Sequence, residues 1–397
     1  MRVAVYCPLK YPDHPVPSGD RRMARQIMAA LAAGGHQPEL VCRFSSRDGR
    51  GNPERQARIM AAGLRLARRL VARLAARPAA TRPEAWITYH LYHKAPDHLG
   101  PQVAAALDIP YLVVEASDAP KRAGGAWDIG FQAARAALAA ADLVMPMTRL
   151  DAVCLSRLLP AGHIQGLTPF LDDSARFAAA AQRRDAIRRD LATARGLDIT
   201  LPWLVAVGMM RIGDKLDSYR VIGRMLADPA LAGRGFHLLV AGDGPARAAV
   251  AAALDADRDH RVTLLGALAP AALADVLAAA DIMVWPAVRE AYGMALLEAQ
   301  AAGLPVVAGR SGGVPDLVTD GVTGRLAAPE DAPALAAAVA ALLDDPNGRE
   351  AMSRAAADQA ARRDITAAAA ALNEALRLAT ANHRQRATRH RPGNAMQ

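Results

Sequence analysis

Residues Asp281–Leu326 read DIMVWPAVREAYGMALLEAQAAGLPVVAGRSGGVPDLVTDGVTGRL, and this stretch decides the fold. Ile282-Met283-Val284-Trp285 is a short apolar run closed by Pro286, the pattern of a strand buried on both faces. After a loop, a helix is expected from about Ala291 to Ala302, ended by Gly303 with Pro305 just beyond. Pro305-Val306-Val307-Ala308 reads as a second strand, and Gly312-Gly313 and Asp320-Gly321 read as turns. The order strand, helix, strand is a βαβ unit. Its helix begins at the C-terminal edge of the sheet, where open α/β sheets take their ligands.

Two carboxylates mark that edge. Glu290 stands at the mouth of the expected helix and Glu298 eight positions later, which places their backbones roughly 12 Å apart along the axis. Carboxylate pairs that cleave a glycosidic bond stand about 5–10 Å apart across one sugar ring, so this spacing suits a grip on the two ends of something longer. The backbone N–H groups of Ala291–Met294, those of Tyr292 and Met294 included, would offer an anion site between them. Gly293 would let a ligand approach closely. The plainer reading is a surface helix with a Glu near its N-terminus, favoured by the helix dipole. Spacing alone leaves both open.

Glu290-x7-Glu298, then Ala299-Gln300-Ala301-Ala302-Gly303-Leu304-Pro305-Val306-Val307, Gly312-Gly313-Val314-Pro315-Asp316-Leu317-Val318 and Asp320-Gly321-Val322-Thr323-Gly324 together resemble the donor-binding signature of the family-4 (group 1) retaining glycosyltransferases, the glycogen-synthase and sucrose-synthase-like enzymes. The resemblance implies an α/β protein of the GT-B fold, with two Rossmann-like doubly wound domains facing each other across a cleft. It implies a hexosyltransferase that moves a sugar from a nucleotide diphosphate sugar to a glycan, lipid or small-molecule acceptor with retention of configuration. Glu290 would orient the donor sugar and Glu298 would hold the ribose. Two other readings stay open: a GT-B nucleotide-sugar epimerase using the same donor, and a binding subunit that keeps the fold without the chemistry.

The whole chain agrees with two domains. At 397 residues it exceeds one ordinary core. A formal net charge of +9 favours a phosphorylated ligand or an anionic membrane surface, and no nucleic-acid partner is expected. Cys7, Cys42 and Cys154 are too far apart for a disulfide framework or a zinc pattern, which fits a reducing, cytoplasmic setting. No secretory leader and no membrane-spanning run is read from the sequence. Residues 54–77 form an amphipathic helix. Ile59, Met60, Leu64, Leu66, Leu70, Val71 and Leu74 lie on one side, and Arg58, Arg65, Arg68, Arg69 and Arg73 on the other. The arginine face is a solvated surface or a peripheral contact with the inner face of an anionic membrane.

Residues 1–165 form the acceptor-side domain. Strand Arg2–Cys7 leads through a Pro-rich loop (Pro8 to Pro17) to Ser18-Gly19-Asp20 and a helix, where Ser18 or Asp20 could cap. Gly19 could admit a phosphate, although the family usually carries a Gly pair here. Ala85–Tyr89 is a strand followed by His90, His93, Lys94 and His98; a metal reading lacks a matching carboxylate, and a substrate-facing cluster is expected, with His90 and His93 on the acceptor side. Many relatives have a His after the strand at 111–115. This chain has Glu115-Ala116-Ser117-Asp118, so Asp118 is the candidate there. Lys121 and Arg122 either meet a charged acceptor or flank a turn.

Residues 166–360 form the donor domain, entered through a loosened stretch from about Leu159 to Asp173. Strand Trp203–Val207 runs into Gly208-Met209-Met210-Arg211-Ile212-Gly213-Asp214-Lys215. The resemblance gives Arg211 and Lys215 the task of neutralising the donor diphosphate, whose charge grows as the glycosidic bond breaks. No metal or cofactor is then required. Gly242 and Gly244, in Gly242-Asp243-Gly244-Pro245, and Gly266 after Val262–Leu265 match the family's turns beside the nucleotide, and each also suits a plain tight turn. Residues 361–379 are expected to cross back onto the first domain, and the polar, basic 380–397 reads as disordered.

Overall fold

The protein is described here from a computed structural model covering residues 1–16 and 18–390. It divides into two compact units: Met1–Thr168 with the chain from Ile365 onward, and Pro169–Asp364.

In the first unit the elements follow as β1 (Arg2–Tyr6), α1 (Gly19–Ala33), β2 (Gln37–Leu40), α2 (Pro53–Ala75), β3 (Ala85–Leu91), α3 (Gly100–Leu107), β4 (Tyr111–Ala116), α4 (Asp128–Ala140), β5 (Leu143–Met145) and α5 (Arg149–Leu155). The strands form one parallel sheet in the order β2-β1-β3-β4-β5. Every residue of β4 is buried, as an apolar strand covered by helices on both faces must be. The chain order reverses between β1 and β3, so the loops after these strands open the crevice where such a sheet binds ligands.

The second unit opens with α6 (Ser174–Gln182) and α7 (Arg184–Arg195), and continues with β6 (Trp203–Val207), α8 (Asp214–Leu226), β7 (His237–Ala241), α9 (Arg247–Ala253), β8 (Val262–Gly266), α10 (Pro270–Ala279) and β9 (Ile282–Trp285). It ends with α11 (Met294–Ala301), β10 (Val306–Gly309), α12 (Val314–Leu317), β11 (Gly324–Ala327), α13 (Ala332–Asp344) and α14 (Pro346–Ala361). Its parallel sheet has the order β11-β10-β9-β6-β7-β8. The reversal falls between β6 and β9, the two strands whose C-terminal loops carry Arg211 and Glu290.

Three local expectations are corrected. The crossover helix α11 begins at Met294 rather than Ala291, because Gly293 takes a left-handed conformation (φ +78°) and acts as its N-cap. Glu290 therefore lies in a loop and is not one helical face away from Glu298. On α2 the buried stripe is Gln56, Gly63, Ala67, Leu70 and Leu74, whereas Leu64 is exposed. Its small residues are buried by close approach to a neighbour, since a Cβ on Gly63 would overlap His98. The unit boundaries fall at Thr168/Pro169 and Asp364/Ile365, a few residues beyond 165 and 360. Gln165 bonds Ala371 within the first unit, and the Leu171 amide bonds the Arg363 carbonyl within the second.

The fourth correction concerns the tail. The last helix, α15 (Ile365–His390), returns to the first unit and packs on α1, β4 and β5. Residues 380–390, expected to be disordered, belong to it, while 391–397 lie outside the described residues. Polar anchoring explains the order. Asn382 donates to the carbonyls of Asp142 and Gly162, and Arg386 donates to the Ala140 carbonyl. The Asp142 carboxylate, 1 % exposed, lies 3.2 Å from His383 and 2.9 Å from Arg386. A buried carboxylate that loses such a partner costs about 1–3 kcal/mol. Replacing His383 and Arg386 together with Ala should therefore lower the free energy of unfolding of the first unit by at least about 1 kcal/mol in urea titrations. An undocked tail would leave it unchanged.

Candidate functional site

In the second unit the site is assembled by the two loops at the reversal point. Trp285, at the end of β9, is fully buried and stacks edge-on against Tyr219 of α8 at 5.2 Å. Tyr219 in turn donates its hydroxyl to the Gly208 carbonyl at 2.7 Å. Beyond Trp285 the loop turns back sharply, with Ala287 and Arg289 both at positive φ (56° and 47°). Two non-glycine residues in this region cost about 1–3 kcal/mol each, so something must hold them. Arg289 pairs with Asp214 at 2.5 Å and Asp217 at 3.0 Å in the first turn of α8, and the Val288 amide donates to Ser218 Oγ at 3.1 Å.

This folding brings Glu290 to Lys215. Lys215 Nζ lies 2.5 Å from Glu290 Oε2, and Trp285 Nε1 donates to the same oxygen at 3.1 Å. The ammonium also stands 5.1 Å from the Trp285 ring centroid, a cation–π distance. Among the described residues Oε2 takes both donors, which leaves Oε1 to accept from a ligand. Arg211 is exposed and reaches only Met209 Sδ, at 3.0 Å, so its guanidinium has no carboxylate partner among the described residues. Arg211 and Lys215 flank Gly213 (φ +91°), the N-cap of the 13-residue α8, whose dipole adds to the local positive potential.

The remaining second-unit candidates are less concentrated. Glu298 lies on α11 and is 3 % exposed, well inside the second unit. Tyr292, Gly293 and Met294 form the entry to α11, and the Gly313 amide donates to the Ala291 carbonyl at 2.7 Å, closing this loop against the next. Gly242 (φ +151°) and Gly244 (φ +150°) have a packing reason: a Cβ on either would overlap the carbonyls of Gly208 and Met210. They bind the β7 loop to the β6 loop, and Gly266 accepts from the Gly242 amide at 2.8 Å.

In the first unit Gly19 is the first residue of α1, capped by Ser18 Oγ, and open space surrounds the position of its missing Cβ. His90, at the end of β3 with φ +67°, places Nδ1 3.3 Å from both Asp20 Oδ1 and Glu115 Oε1. Burial pulls its pKa down, but the charges of Glu115 and Asp20 more than offset this and raise it above the usual 6.5. Glu115, at φ +60°, and Asp20 thus stand with His90, a grouping that reading the sequence did not anticipate. The signal was an acid in the first turn of a helix and another at a strand end, which no spacing rule joins. Asp118 is bound to Arg135 at 3.3 Å with its side chain 6 % exposed, an ion pair between the β4 loop and α4. His93 and Arg122 stand against Trp127, and Lys121 precedes Arg122 in the turn after β4. His93 is pushed down to about 4, by burial first and then by Arg122, Lys94 and Lys121. Among the described residues no helix is long and apolar enough to cross a membrane, and Arg58, Arg65, Arg68, Arg69 and Arg73 of α2 are exposed.

Residues 202–345 match the family described as Glycosyl transferases group 1. The chain is 45 % identical over 112 residues to the D-inositol 3-phosphate glycosyltransferase of Corynebacterium diphtheriae, covering 28 % of this chain and 26 % of that one. It is 31 % identical over 221 residues to the alpha-D-kanosaminyltransferase of Streptomyces kanamyceticus, covering 55 % of each. The matched regions thus span about half or less of these curated relatives. Among solved structures, Anabaena HepE in complex with UDP-glucose superposes with a TM-score of 0.64 over 95 % of this chain and 99 % of that one, at 17 % identity. That likeness is one of fold, the GT-B fold of two Rossmann-like domains.

The two histidines give the geometry a direct readout. In histidine-resolved NMR titrations His90 should titrate above 6.5 and His93 near 4. Because the folded pKa of His90 is raised, its contribution to stability is full below about pH 6.5 and is lost as pH rises through the folded midpoint. The stability advantage of the native chain over His90→Gln should shrink in that window. An advantage that grows with pH would contradict the carboxylate pairing.

Proposed function

We propose that this chain, whose residues 202–345 are a group 1 glycosyltransferase domain within a GT-B fold, transfers a hexosyl group from a nucleoside diphosphate sugar to an acceptor with retention of configuration. The observation that carries the proposal is the meeting of Lys215, Glu290 and Trp285 beside Arg211 at the reversal point of the second sheet.

The chemistry follows from charge. Breaking the bond between the sugar and the diphosphate leaves negative charge on the departing oxygen, and fixed cations lower that barrier without reorganising. Arg211, exposed and without a carboxylate partner among the described residues, and Lys215, held at the mouth of α8, would face the diphosphate. Their charge does the work a divalent metal does elsewhere, so the reading calls for no metal or cofactor. Lys215 holds Glu290 in place, and Glu290 Oε1 would accept hydroxyls of the donor sugar. Glu298 would hold the ribose with whatever edge of its carboxylate the nucleotide reaches, and Gly242, Gly244, Gly266 and the Tyr292–Met294 backbone would line the nucleotide's path. In the first unit, the residues around His90 and His93 would receive the acceptor and Gly19 would admit a phosphate of the donor; Asp118 would act through its pairing with Arg135. HepE, with UDP-glucose bound, supports the donor class. The inositol-phosphate and kanosamine relatives support transfer to small acceptors. The exposed arginines of α2 would carry any contact with an anionic membrane face in the cytoplasm.

Two variants test the reading. Lys215→Met and Arg211→Gln should each weaken nucleoside diphosphate binding by about 10–100-fold, the cost of one charge-assisted hydrogen bond, with the fold intact by circular dichroism. Glu290→Gln should lower kcat more than donor affinity. The anomeric configuration of the product, read by proton NMR, should match that of the donor. Inverted product, free epimerised sugar from donor alone, or unchanged nucleotide affinity in both cation variants would each overturn the proposal.

A further inference from the structure

Two cations of the first unit stand against one indole, and a third adjoins them in sequence. Lys94, after β3, places Nζ 5.0 Å from the Trp127 ring centroid; Arg122, in the turn after β4, places its guanidinium carbon at 4.9 Å. Lys121 precedes Arg122, and the His93 ring stands edge-on to Trp127 at 6.0 Å. Like charges so close repel one another unless a carboxylate intervenes. The neighbouring acids are committed elsewhere. Asp118 pairs with Arg135. Asp128 accepts from the Gly124 amide and Gln132. Asp48 accepts from the amides of Arg50 and Asn52 and from Gln56. Among the described residues none of Lys94, Lys121 and Arg122 has an ion-pair partner.

The polar atoms between these cations are also unspent. Among the described residues Arg122 Nε and both ring nitrogens of His93 are buried with no hydrogen-bond partner, a costly state for groups that normally pair. The ring is held neutral, as the depressed pKa of His93 shows, so it offers a donor without adding charge. The adjoining cavity lined by Ser46, Asp48, Gln56 and His98 measures ≈ 10 Å³, space for about one water; an anion would rest on the Trp127 side.

The platform is fixed before any ligand arrives. Gln56 ties α2 to the Ala126 carbonyl at 2.8 Å and to the Gly130 amide at 3.0 Å, and Trp127 Nε1 donates to the Asp48 carbonyl at 3.1 Å. The Asp48 amide donates to the Lys94 carbonyl at 2.8 Å, which holds the β3 loop in place. A Cβ on Gly130 would overlap the His93 carbonyl, so α4 starts in direct contact with that loop.

We propose that Lys94 and Arg122 at Trp127, with the adjoining Lys121, form a binding site for a phosphate monoester, so that the acceptor of this chain is phosphorylated. The word acceptor rests on the transfer reading above; the anion site does not. A dianionic phosphate offsets more of this positive charge than a carboxylate would, and its three terminal oxygens can accept from an Arg fork and ammonium groups at once. The site lies on the C-terminal edge of the β2-β1-β3-β4-β5 sheet, the ligand edge of this unit.

The test is calorimetric titration of the full chain with inorganic phosphate, glucose 6-phosphate and glucose, with UDP titrated separately. Lys94→Gln with Arg122→Gln should weaken both phosphates by about tenfold or more and leave UDP affinity unchanged. The charge-keeping Lys94→Arg with Arg122→Lys should recover most of the loss, which a merely structural role would not do. Glucose should show no dependence on either pair. Phosphate binding that survives Lys94→Gln/Arg122→Gln, or that is lost only in Arg211→Gln/Lys215→Met, overturns the site. UDP failing to bind while phosphate binds through Lys94 and Arg122 would sink the transfer reading and leave the site standing. Cosedimentation with phosphatidylcholine vesicles, with and without phosphatidate, separates the source: a phosphatidate-dependent fraction lost in Lys94→Gln/Arg122→Gln assigns the phosphate to a lipid, and no such fraction assigns it to a soluble sugar phosphate.

Discussion

The ion pair between Lys215 and Glu290 is the contact on which the second unit's site depends. It joins the loops that follow β6 and β9, the two strands between which the sheet reverses its winding. Without it, the ammonium would have no fixed position and the carboxylate would be a loop residue like any other. Trp285 makes the pair specific: its indole N–H donates to the same carboxylate oxygen, and its ring lies under the ammonium. A lysine beside a buried aromatic face and a carboxylate is pre-aimed, which matters because charge must be stabilised at the moment the bond breaks. The strained turn at Ala287 and Arg289 is the cost of this placement, and the Arg289 pairs with Asp214 and Asp217 offset it.

The first unit solves a different problem with the same sheet geometry. Its strand ends also carry non-glycine residues in left-handed conformations, His90 and Glu115, and these hold opposite charges close together. One loop away lies the cationic group around Trp127, with its acids drawn off to other partners. The two histidines illustrate how environment divides one residue type into two roles. His90 faces carboxylates and stays protonated to higher pH, while burial first and nearby cations second hold His93 neutral.

Much of this was legible in the sequence, and the reason is the covered parallel sheet. A strand buried on both faces must be a short apolar run between turn signals, so Ile282–Trp285 and Val306–Gly309 announced themselves. The cations Arg211 and Lys215 and the acid Glu290 were legible as types at strand ends. Their pairing was not, because it depends on two residues adopting backbone angles that no local propensity favours. The stripe on α2 failed for a packing reason: Gly63 and Ala67 are buried because neighbours come close, and hydrophobicity does not register that. The end of α15 misled because its polar composition suits solvent, whereas Asn382, His383 and Arg386 spend those groups on β5 and its flanks.

One structure would decide the central claim. A crystal of the full chain grown with a nucleoside diphosphate should show the two phosphates within hydrogen-bond distance of Lys215 Nζ and the Arg211 guanidinium, at the mouth of α8. A nucleotide bound elsewhere on the second unit, or bound with its phosphates out of hydrogen-bond reach of both Lys215 Nζ and the Arg211 guanidinium, would contradict the account.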